Sequence, residues 1–174
     1  MAELVLFDPE IHNEDYFQLV LEHRLNTAER LKKSHQIEWS EYLGQPITEY
    51  VKNEFKTLVT LMPPDEAVYL SYFEGHAAGM GRISRLRKEA GEIKQMYVRP
   101  QYRGRGFAKQ MLMKLLLMGR ELGYTTFLLD VWMLEFAARH IYQSAGFVEV
   151  ERYTENSLPL FMVPYYVFME KKEK

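Results

Sequence analysis

A glycine-rich turn between a strand-like run and a helical run is the feature that most constrains this chain. Residues 93–98 are rich in β-forming side chains, residues 107–122 are apolar and helix-forming, and the run RGRGFA at 103–108 joins them. Two glycines allow a tight turn and a close approach of the backbone to another group. The helix presents unpaired N–H groups and the positive end of its dipole to that turn. These elements predict an anion site suited to a pyrophosphate, with added positive charge from Arg103, Arg105 and Lys109.

Two better-known phosphate loops do not fit the same residues. A P-loop ends in Gly-Lys-Ser or Gly-Lys-Thr, and neither follows here. The dinucleotide fingerprint needs a third glycine three residues after the second, where this chain has Lys109. What remains is Arg-x-x-Gly-x-Ala, counted from Arg103. An ordinary strand-to-helix turn with surface arginines is the alternative interpretation.

The pattern resembles the (Gln/Arg)-x-x-Gly-x-(Gly/Ala) signature of the GNAT superfamily, the acyl-CoA-dependent N-acetyltransferases. The resemblance implies an acetyl-CoA cosubstrate whose pyrophosphate is held by the backbone amides of the loop. It further implies that backbone groups of the preceding strand, often at a bulge, hold the amides of the pantetheine arm. The residues assigned to the cofactor in this way are Met96, Tyr97, Val98, Arg103, Gly104, Arg105, Gly106, Phe107 and Ala108.

The pattern of apolar residues predicts an α/β (α+β) fold in the order β-α-α-β-β-β-α-β-α-β-β, with a mixed, mostly antiparallel sheet flanked by helices. This order resembles the GNAT fold over nearly all of 1–174, which we interpret as one domain with its cofactor-binding core at about 91–148. The first long helix is predicted to break near Asn26, residues 34–45 to be loop-like, and Pro63-Pro64 to end the second helix. A closing strand is predicted at 147–153.

Charge is spread unevenly along a chain whose net charge is only −2. Residues 1–60 carry 11 acids and 6 bases, whereas residues 91–130 carry 3 acids and 7 bases. The basic segment contains the proposed phosphate loop. The acidic segment would suit a cationic amine substrate by electrostatic steering. Ordinary solvent-exposed acidic helices explain the negative charge of that segment equally well.

Several functional classes are not expected from the composition. The absence of a basic stripe argues against nucleic-acid binding, and no apolar run reaches the length of a membrane span. The chain has no cysteine, its five histidines lack metal-ligand spacing, and its start does not resemble a secretion signal. We therefore expect a cytosolic protein without a metal. Exposed edges in the closing strands would allow a homodimer.

A second matching element is Ala138-x-x-x-Tyr142-x-x-x-Gly146-Phe147. It resembles the short helix of the family whose tyrosine lies near the thioester sulfur, and this implies that Tyr142 donates a proton to the leaving thiolate. A half-buried structural tyrosine is the alternative. The chain departs from the family at Glu135, where many members carry an asparagine that contacts the cofactor. We do not transfer the role of that asparagine to Glu135.

Glu92 begins the strand before the loop. In parts of the family a glutamate at this place takes a proton from the attacking amine, and a partly buried carboxylate can do so. A surface glutamate beside a turn is the alternative.

Without cysteine, the chain is expected to transfer acetyl directly in a ternary complex. There are two alternative functions. The chain could be a coenzyme A-binding regulatory module with little catalysis, or an enzyme that transfers a larger acyl group. The resemblance also implies that the amine acceptor lies against the first two helices and the loop before the last strand, at about residues 14–61 and 154–164.

Overall fold

The computed structural model describes residues 1–60 and 65–173, and within them seven strands form one sheet. The strands lie in the order β1-β2-β3-β4-β5-β7-β6. Neighbouring strands are antiparallel except β4 and β5, which are parallel. Their bounds are β1 Glu3–Leu6, β2 Ala67–Phe73, β3 His76–Arg87, β4 Ala90–Val98, β5 Thr126–Trp132, β6 Val148–Val150 and β7 Tyr166–Lys172.

Helices cover both faces of this sheet. Their bounds are α1 Asn13–His35, α2 Trp39–Leu43, α3 Ile47–Thr60, α4 Phe107–Glu121 and α5 Phe136–Ser144. The apolar side chains of α4 recur at helical spacing and pack with those of α5 on one face of the sheet. Gly119 of α4 lies so close to the sheet that a Cβ there would stand 2.4 Å from the Phe127 ring. The residues of α4 buried in this contact are Met111, Leu112, Leu115 and Leu116.

The opposite face is covered by α1 and α3. Tyr16 and Leu19 of α1 and Phe55 of α3 are buried against the side chains of β2 and β4. The Phe7, Tyr16 and Phe55 rings follow one another at centroid distances of 4.8 and 5.3 Å. This aromatic packing fixes α1 across the sheet, and the amphipathic spacing in α1 and α3 is the local reason that they lie there.

The predicted order of strands and long helices is confirmed, with two local differences in the first third of the chain. The stretch 34–45 contains α2, because Trp39 is buried against Leu31 and Trp132 and anchors a short helical turn. The predicted break near Asn26 is absent, and α1 runs unbroken to His35. Asn26 donates from Nδ2 to the Glu22 carbonyl oxygen at 2.9 Å and to the Tyr97 hydroxyl at 3.0 Å, so its amide is satisfied inside the helix.

The predicted strand at 147–153 is shorter than expected, and this matters for the site. It ends at Val150 because the chain turns Tyr153 and Asn156 inward, towards polar groups of β4 and β5. The helix end that we predicted at Pro63-Pro64 lies outside the described residues. Among the described helices, none is long and apolar enough to cross a membrane.

Candidate active site

A cleft opens where β4 and β5 separate. Their pairing covers only Ala90–Glu92 against Thr126–Leu128, and no further pair joins them in the described part of the chain. Beyond Glu92, β4 shifts its register against β3 and Gln95 adopts a φ of 54°, the geometry of a bulge. The Tyr16 hydroxyl donates to Oε1 of Gln95 at 2.7 Å and so ties the bulge to α1.

The far end of β4 offers an open backbone edge to this cleft. Met96, Tyr97 and Val98 follow the bulge, and their β5-facing edge has no partner strand among the described residues. An extended ligand with amide groups could pair with such an edge as an added strand would. The Tyr97 side chain points away from that edge towards α1, where its hydroxyl accepts a hydrogen bond from Asn26. These three residues therefore present an open backbone edge to the cleft, and their role in holding a cofactor stays a prediction.

The loop after β4 places a row of amide donors beside the open edge. Gly104 and Gly106 have φ values of 75° and 81°, which only glycine adopts readily, and α4 begins at the next residue. Within the described residues, the N–H groups of 104–109 have no acceptor in the protein. A Cβ on either glycine would meet nothing within 4 Å. This is the geometry of an anion site at a helix N-terminus.

The side chains of the loop separate into anchors and exposed cations. Phe107 is 3% exposed and packs 5.4 Å from the Phe73 ring, so only its backbone N–H faces the loop. Arg103 donates from Nε to the Val98 carbonyl oxygen at 2.9 Å. The Arg105 guanidinium lies 4.9 Å from the centroid of Phe73. Both arginine side chains are exposed, where they can contact an anion held by the amides.

Arg99 fixes the start of the loop to the rest of the fold, a role that the sequence analysis missed. It makes a bidentate ion pair with Glu22 of α1, with Nη2 at 2.8 Å from Oε1 and Nε at 3.0 Å from Oε2. Its Nη1 donates to the Ala77 carbonyl oxygen at 2.6 Å. Bidentate arginine pairs fix orientation as well as distance, so α1 and β3 together position the loop.

Tyr142 lies in α5 on the β5 side of the cleft. Its side chain is 5% exposed, and its ring packs edge-on against Phe147 at 5.9 Å. Within the described residues its hydroxyl makes no hydrogen bond, so the proton is free to be donated. Burial, and secondarily the charge of Asp130, raise the pKa of Tyr142 above its ordinary value. The hydroxyl is therefore protonated throughout the neutral range.

Glu92 stands at the point where the two strands part, and it is buried with only 2% exposure. Its Oε2 pairs with Lys94 Nζ at 2.6 Å, and its Oε1 accepts a hydrogen bond from the Tyr153 hydroxyl at 2.5 Å. The carboxylate is thus neither a surface group nor an isolated one. Burial and the charge of Glu92 raise the pKa of the Tyr153 hydroxyl, which therefore acts as a donor.

Asp130 is a second carboxylate at the cleft, which the sequence analysis did not single out. It lies on β5 two residues past the last pair with β4, on the same face as Leu128. Burial raises the pKa of Asp130, and the charge of Glu92 raises it further, whereas a hydrogen bond from Asn156 lowers it. Aspartate is disfavoured in strands, so a lone acid inside the run TFLLDVW was the signal that could have revealed it.

Glu135 takes the position of the family asparagine and forms an ion pair instead. It is the N-cap residue of α5, and its carboxylate contacts the Arg30 guanidinium of α1. Their side chains are 33% and 38% exposed. Burial, together with the positive charge of Arg103, lowers the pKa of Arg30. The pair therefore links α1 to the start of α5, close to Arg103 of the glycine-rich loop.

Side chains of α1, α2 and α3 form the other wall of the site. Arg24 pairs with Glu54 of α3, and its guanidinium lies 5.9 Å from the centroid of Trp39. Burial and two arginines lower the pKa of His23 to about 3, so its imidazole stays neutral near Tyr97. A surface cavity of about 410 Å³ runs along α3 beside this wall. Its lining residues are Gln45, Tyr50, Asn53, Glu54 and Thr57.

The arrangement brings together the predicted loop, the β4 edge, Tyr142 and Glu92, with Asp130 added. No group of three or more His, Asp or Glu side chains in the described ranges could hold a metal ion. What the site offers is a row of backbone donors, an open strand edge, an unbonded hydroxyl, the buried carboxylate of Glu92 and the half-buried carboxylate of Asp130. These are the groups needed to hold an extended anionic molecule and to move protons beside it.

Comparisons with known proteins agree with this geometry. Residues 27–147 match the acetyltransferase (GNAT) family. An uncharacterized N-acetyltransferase of Schizosaccharomyces pombe is 25% identical over 127 residues, covering 70% of this chain and 77% of the relative. A GNAT-family acetyltransferase of Staphylococcus aureus superposes with a TM-score of 0.71 at 15% identity, covering 100% of both chains. The PaiA N-acetyltransferase of Thermoplasma acidophilum, solved in complex with coenzyme A, gives 0.68 at 14% identity over 99% of both chains.

Proposed function

Because the chain belongs to the acetyltransferase (GNAT) family, we propose that it transfers an acetyl group from acetyl-CoA to an amine by direct transfer in a ternary complex. One observation carries the proposal. The unpaired amides of residues 104–109 and the open edge of β4 lie on one cleft with Tyr142, the buried carboxylate of Glu92 and the half-buried carboxylate of Asp130. Residues 1–174 would form one acetyltransferase domain around this cleft.

The chain would hold acetyl-CoA mainly through its backbone. The amides of 104–108 and the first turn of α4 receive the pyrophosphate, and Arg103 and Arg105 lie beside it. The backbone edge of Met96 to Val98 pairs with the amides of the pantetheine arm. Bound along this edge, the pantetheine arm would place its thioester near the point where β4 and β5 separate, at Glu92.

The proton steps follow from the groups that surround that point. A protonated alkyl amine loses one N–H proton to the Glu92 and Asp130 pair, and its lone pair forms the new bond to the carbonyl carbon. The C–S bond breaks with its electron pair on sulfur, and the Tyr142 hydroxyl supplies the proton that makes the thiol. As the amide forms, the second N–H proton passes through solvent to the tyrosinate and restores Tyr142. The carboxylate pair gives the first proton to solvent, so one proton is released per turnover.

The acceptor would enter between α1, α2, α3 and the chain at 154–164. The acids of α1 and α3 that face the site are paired, Glu22 with Arg99 and Glu54 with Arg24. Steering of a cationic amine by the acidic first third of the chain stays a prediction. The cytosolic location and the homodimer also stay predictions, the latter supported by β6, a sheet-edge strand whose Val148 is 61% exposed.

Calorimetry with acetyl-CoA, followed by thiol release on a panel of amines, tests the proposal. Asp130→Asn and Glu92→Gln are each expected to lower kcat about 100-fold with the Kd for acetyl-CoA unchanged, because neither side chain lies at the phosphate loop. Glu149→Gln, a change to an exposed carboxylate of β6 that pairs with Arg139, is the control.

Each outcome of that experiment has a distinct meaning. Binding with turnover supports an acetyltransferase, and the best amine in the panel identifies the class of acceptor. Binding of acetyl-CoA without turnover on any amine favours a regulatory module or a different acyl group. A folded protein that does not bind acetyl-CoA refutes the proposal altogether.

A further inference from the structure

Asn156 joins the two carboxylates of the site, Glu92 and Asp130. It lies in the chain between β6 and β7 and is 6% exposed. Its Nδ2 donates to Asp130 Oδ2 at 2.8 Å and lies 3.4 Å from Glu92 Oε1 and 3.1 Å from the Tyr153 hydroxyl. Its Oδ1 accepts the Leu158 N–H at 3.1 Å, which fixes the direction of the amide.

The chemistry of this side chain suits a proton acceptor. Glu92 already has a cation, Lys94, on its second oxygen, whereas the hydrogen-bond donor to Asp130 among the described residues is the neutral amide of Asn156. A cation on Asp130 would hold it ionised and make it a poor base, while an apolar neighbour would leave it protonated. A neutral donor lies between these limits, because it stabilises the carboxylate without cancelling its charge.

We propose that Asn156 is a positioning residue that holds Asp130 and Glu92 as one hydrogen-bonded proton acceptor at the cleft. The inference rests on the proposed function, since it specifies how the base of that reaction is arranged. Asn156 reaches both carboxylates through one amide, and its own orientation is set by the backbone of its loop. The β6–β7 loop thereby takes part in the proton step as well as bordering the acceptor.

The direction of the pH effect follows from the groups that face Asp130. Burial and Glu92 raise its pKa, and the Asn156 hydrogen bond, Lys94 and Arg24 lower it. Loss of the amide donor therefore raises the pKa of Asp130 further. The acidic limb of the kcat/KM profile then moves to higher pH, and activity is lost first at low pH. The other polar groups around this carboxylate are Tyr142 of α5, Tyr166 of β7 and Tyr153 of the loop.

Two substitutions separate positioning from a structural role. Asn156→Ser removes the amide and shortens the side chain, so the donor no longer reaches the two carboxylates. Asn156→Asp keeps the shape of the side chain and the oxygen that accepts from Leu158, but it replaces the amide donor with a third carboxylate. If positioning is right, kcat falls about 10- to 100-fold, the KM for acetyl-CoA is unchanged, and the acidic limb moves upward more in Asn156→Asp than in Asn156→Ser. A purely structural role predicts that Asn156→Ser is affected more than Asn156→Asp, because aspartate is closer in shape to asparagine than serine is.

Thr125→Ala is the control, because Thr125 is exposed, lies just before β5 and belongs to none of the segments that form the site. It is expected to leave kcat and the pH profile unchanged. A folded Asn156→Asp with a wild-type profile overturns the positioning role and leaves the acetyltransferase proposal standing. A wild type inactive on every amine refutes the proposed function instead. A ¹³C titration of the Asp130 carboxyl in wild type and Asn156→Asp still tests the positioning, and identical curves overturn it.

Discussion

The two walls of the cleft use their polar groups in opposite ways. The wall that we propose holds acetyl-CoA, here the cofactor wall, consists of the end of β4, the loop 99–106, α4 and α5. Its amides at 104–109 and the Tyr142 hydroxyl are unbonded within the described residues. The wall that we propose holds the amine, here the acceptor wall, consists of α1, α2, α3 and the chain at 151–165. Its Arg24 pairs with Glu54, and its Glu22 pairs with Arg99 of the loop.

This difference shows how each wall is encoded. A backbone donor site requires glycine torsions and a helix start, which six consecutive residues supply. A paired wall requires side chains from distant positions to meet. Arg24 pairs with Glu54, which is 30 residues away in sequence, and Glu22 pairs with Arg99, which is 77 residues away. The cofactor wall is therefore local in sequence, and the acceptor wall is a product of the fold.

The largest expected effect comes from Tyr142→Phe, which removes the unbonded hydroxyl of the cofactor wall. We expect kcat to fall about 100-fold or more, with little change in the Kd for acetyl-CoA or the KM for the amine, because the ring and its packing remain. Tyr69→Phe, a buried tyrosine of the same core cluster, is the control. An unchanged rate at every pH would remove the hydroxyl from the mechanism.

The next effect concerns the glycine torsions that define the cofactor wall. Gly106→Val places a branched side chain in open space at a φ of 81°, so both the loop conformation and the approach of a pyrophosphate are lost. We expect acetyl-CoA to bind about 10- to 100-fold more weakly, since each charge-assisted contact is worth about 1.5–3 kcal/mol.

Gly123→Val is the matched control for that change. Gly123 lies just beyond the other end of α4, with a φ of 84° and equally open surroundings. Its substitution should lower the thermal midpoint by a similar amount and leave the affinity intact. Equal losses of affinity in the two variants would mean that the loop is ordinary architecture.

The smallest effect is expected where the two walls touch. Arg30→Met and Glu135→Gln break an ion pair that is about one-third exposed, and such pairs are worth about 0–1 kcal/mol. We expect each single change to alter the Kd for acetyl-CoA by less than about threefold. A double-mutant cycle checks this, and strong coupling to acetyl-CoA would show that the two walls do not act separately.

The candidate site was predicted unevenly from sequence, and particular residues show why. The strand, loop and helix around 93–122 were placed well because their torsions and apolar spacing are local. Asp130 and Asn156 were missed because neither belongs to a local pattern of site residues. Glu92 was named, but its ion pair with Lys94 and its hydrogen bond from Tyr153 depend on how β4 and the β6–β7 chain meet. The same inward turn shortened β6 relative to our expectation.

The sequence alone determined the order of elements, the glycine-rich loop before α4 and the helix faces that pack on the sheet. These follow from the torsions of glycine and from helical and strand periodicity, which act over a few residues. Only the tertiary structure decided that β4 and β5 part after Glu92, that Gln95 bulges under Tyr16, and that Asn156 reaches two carboxylates 26 and 64 residues away. Such contacts depend on strand register and on the burial of whole elements, which no short segment specifies by itself.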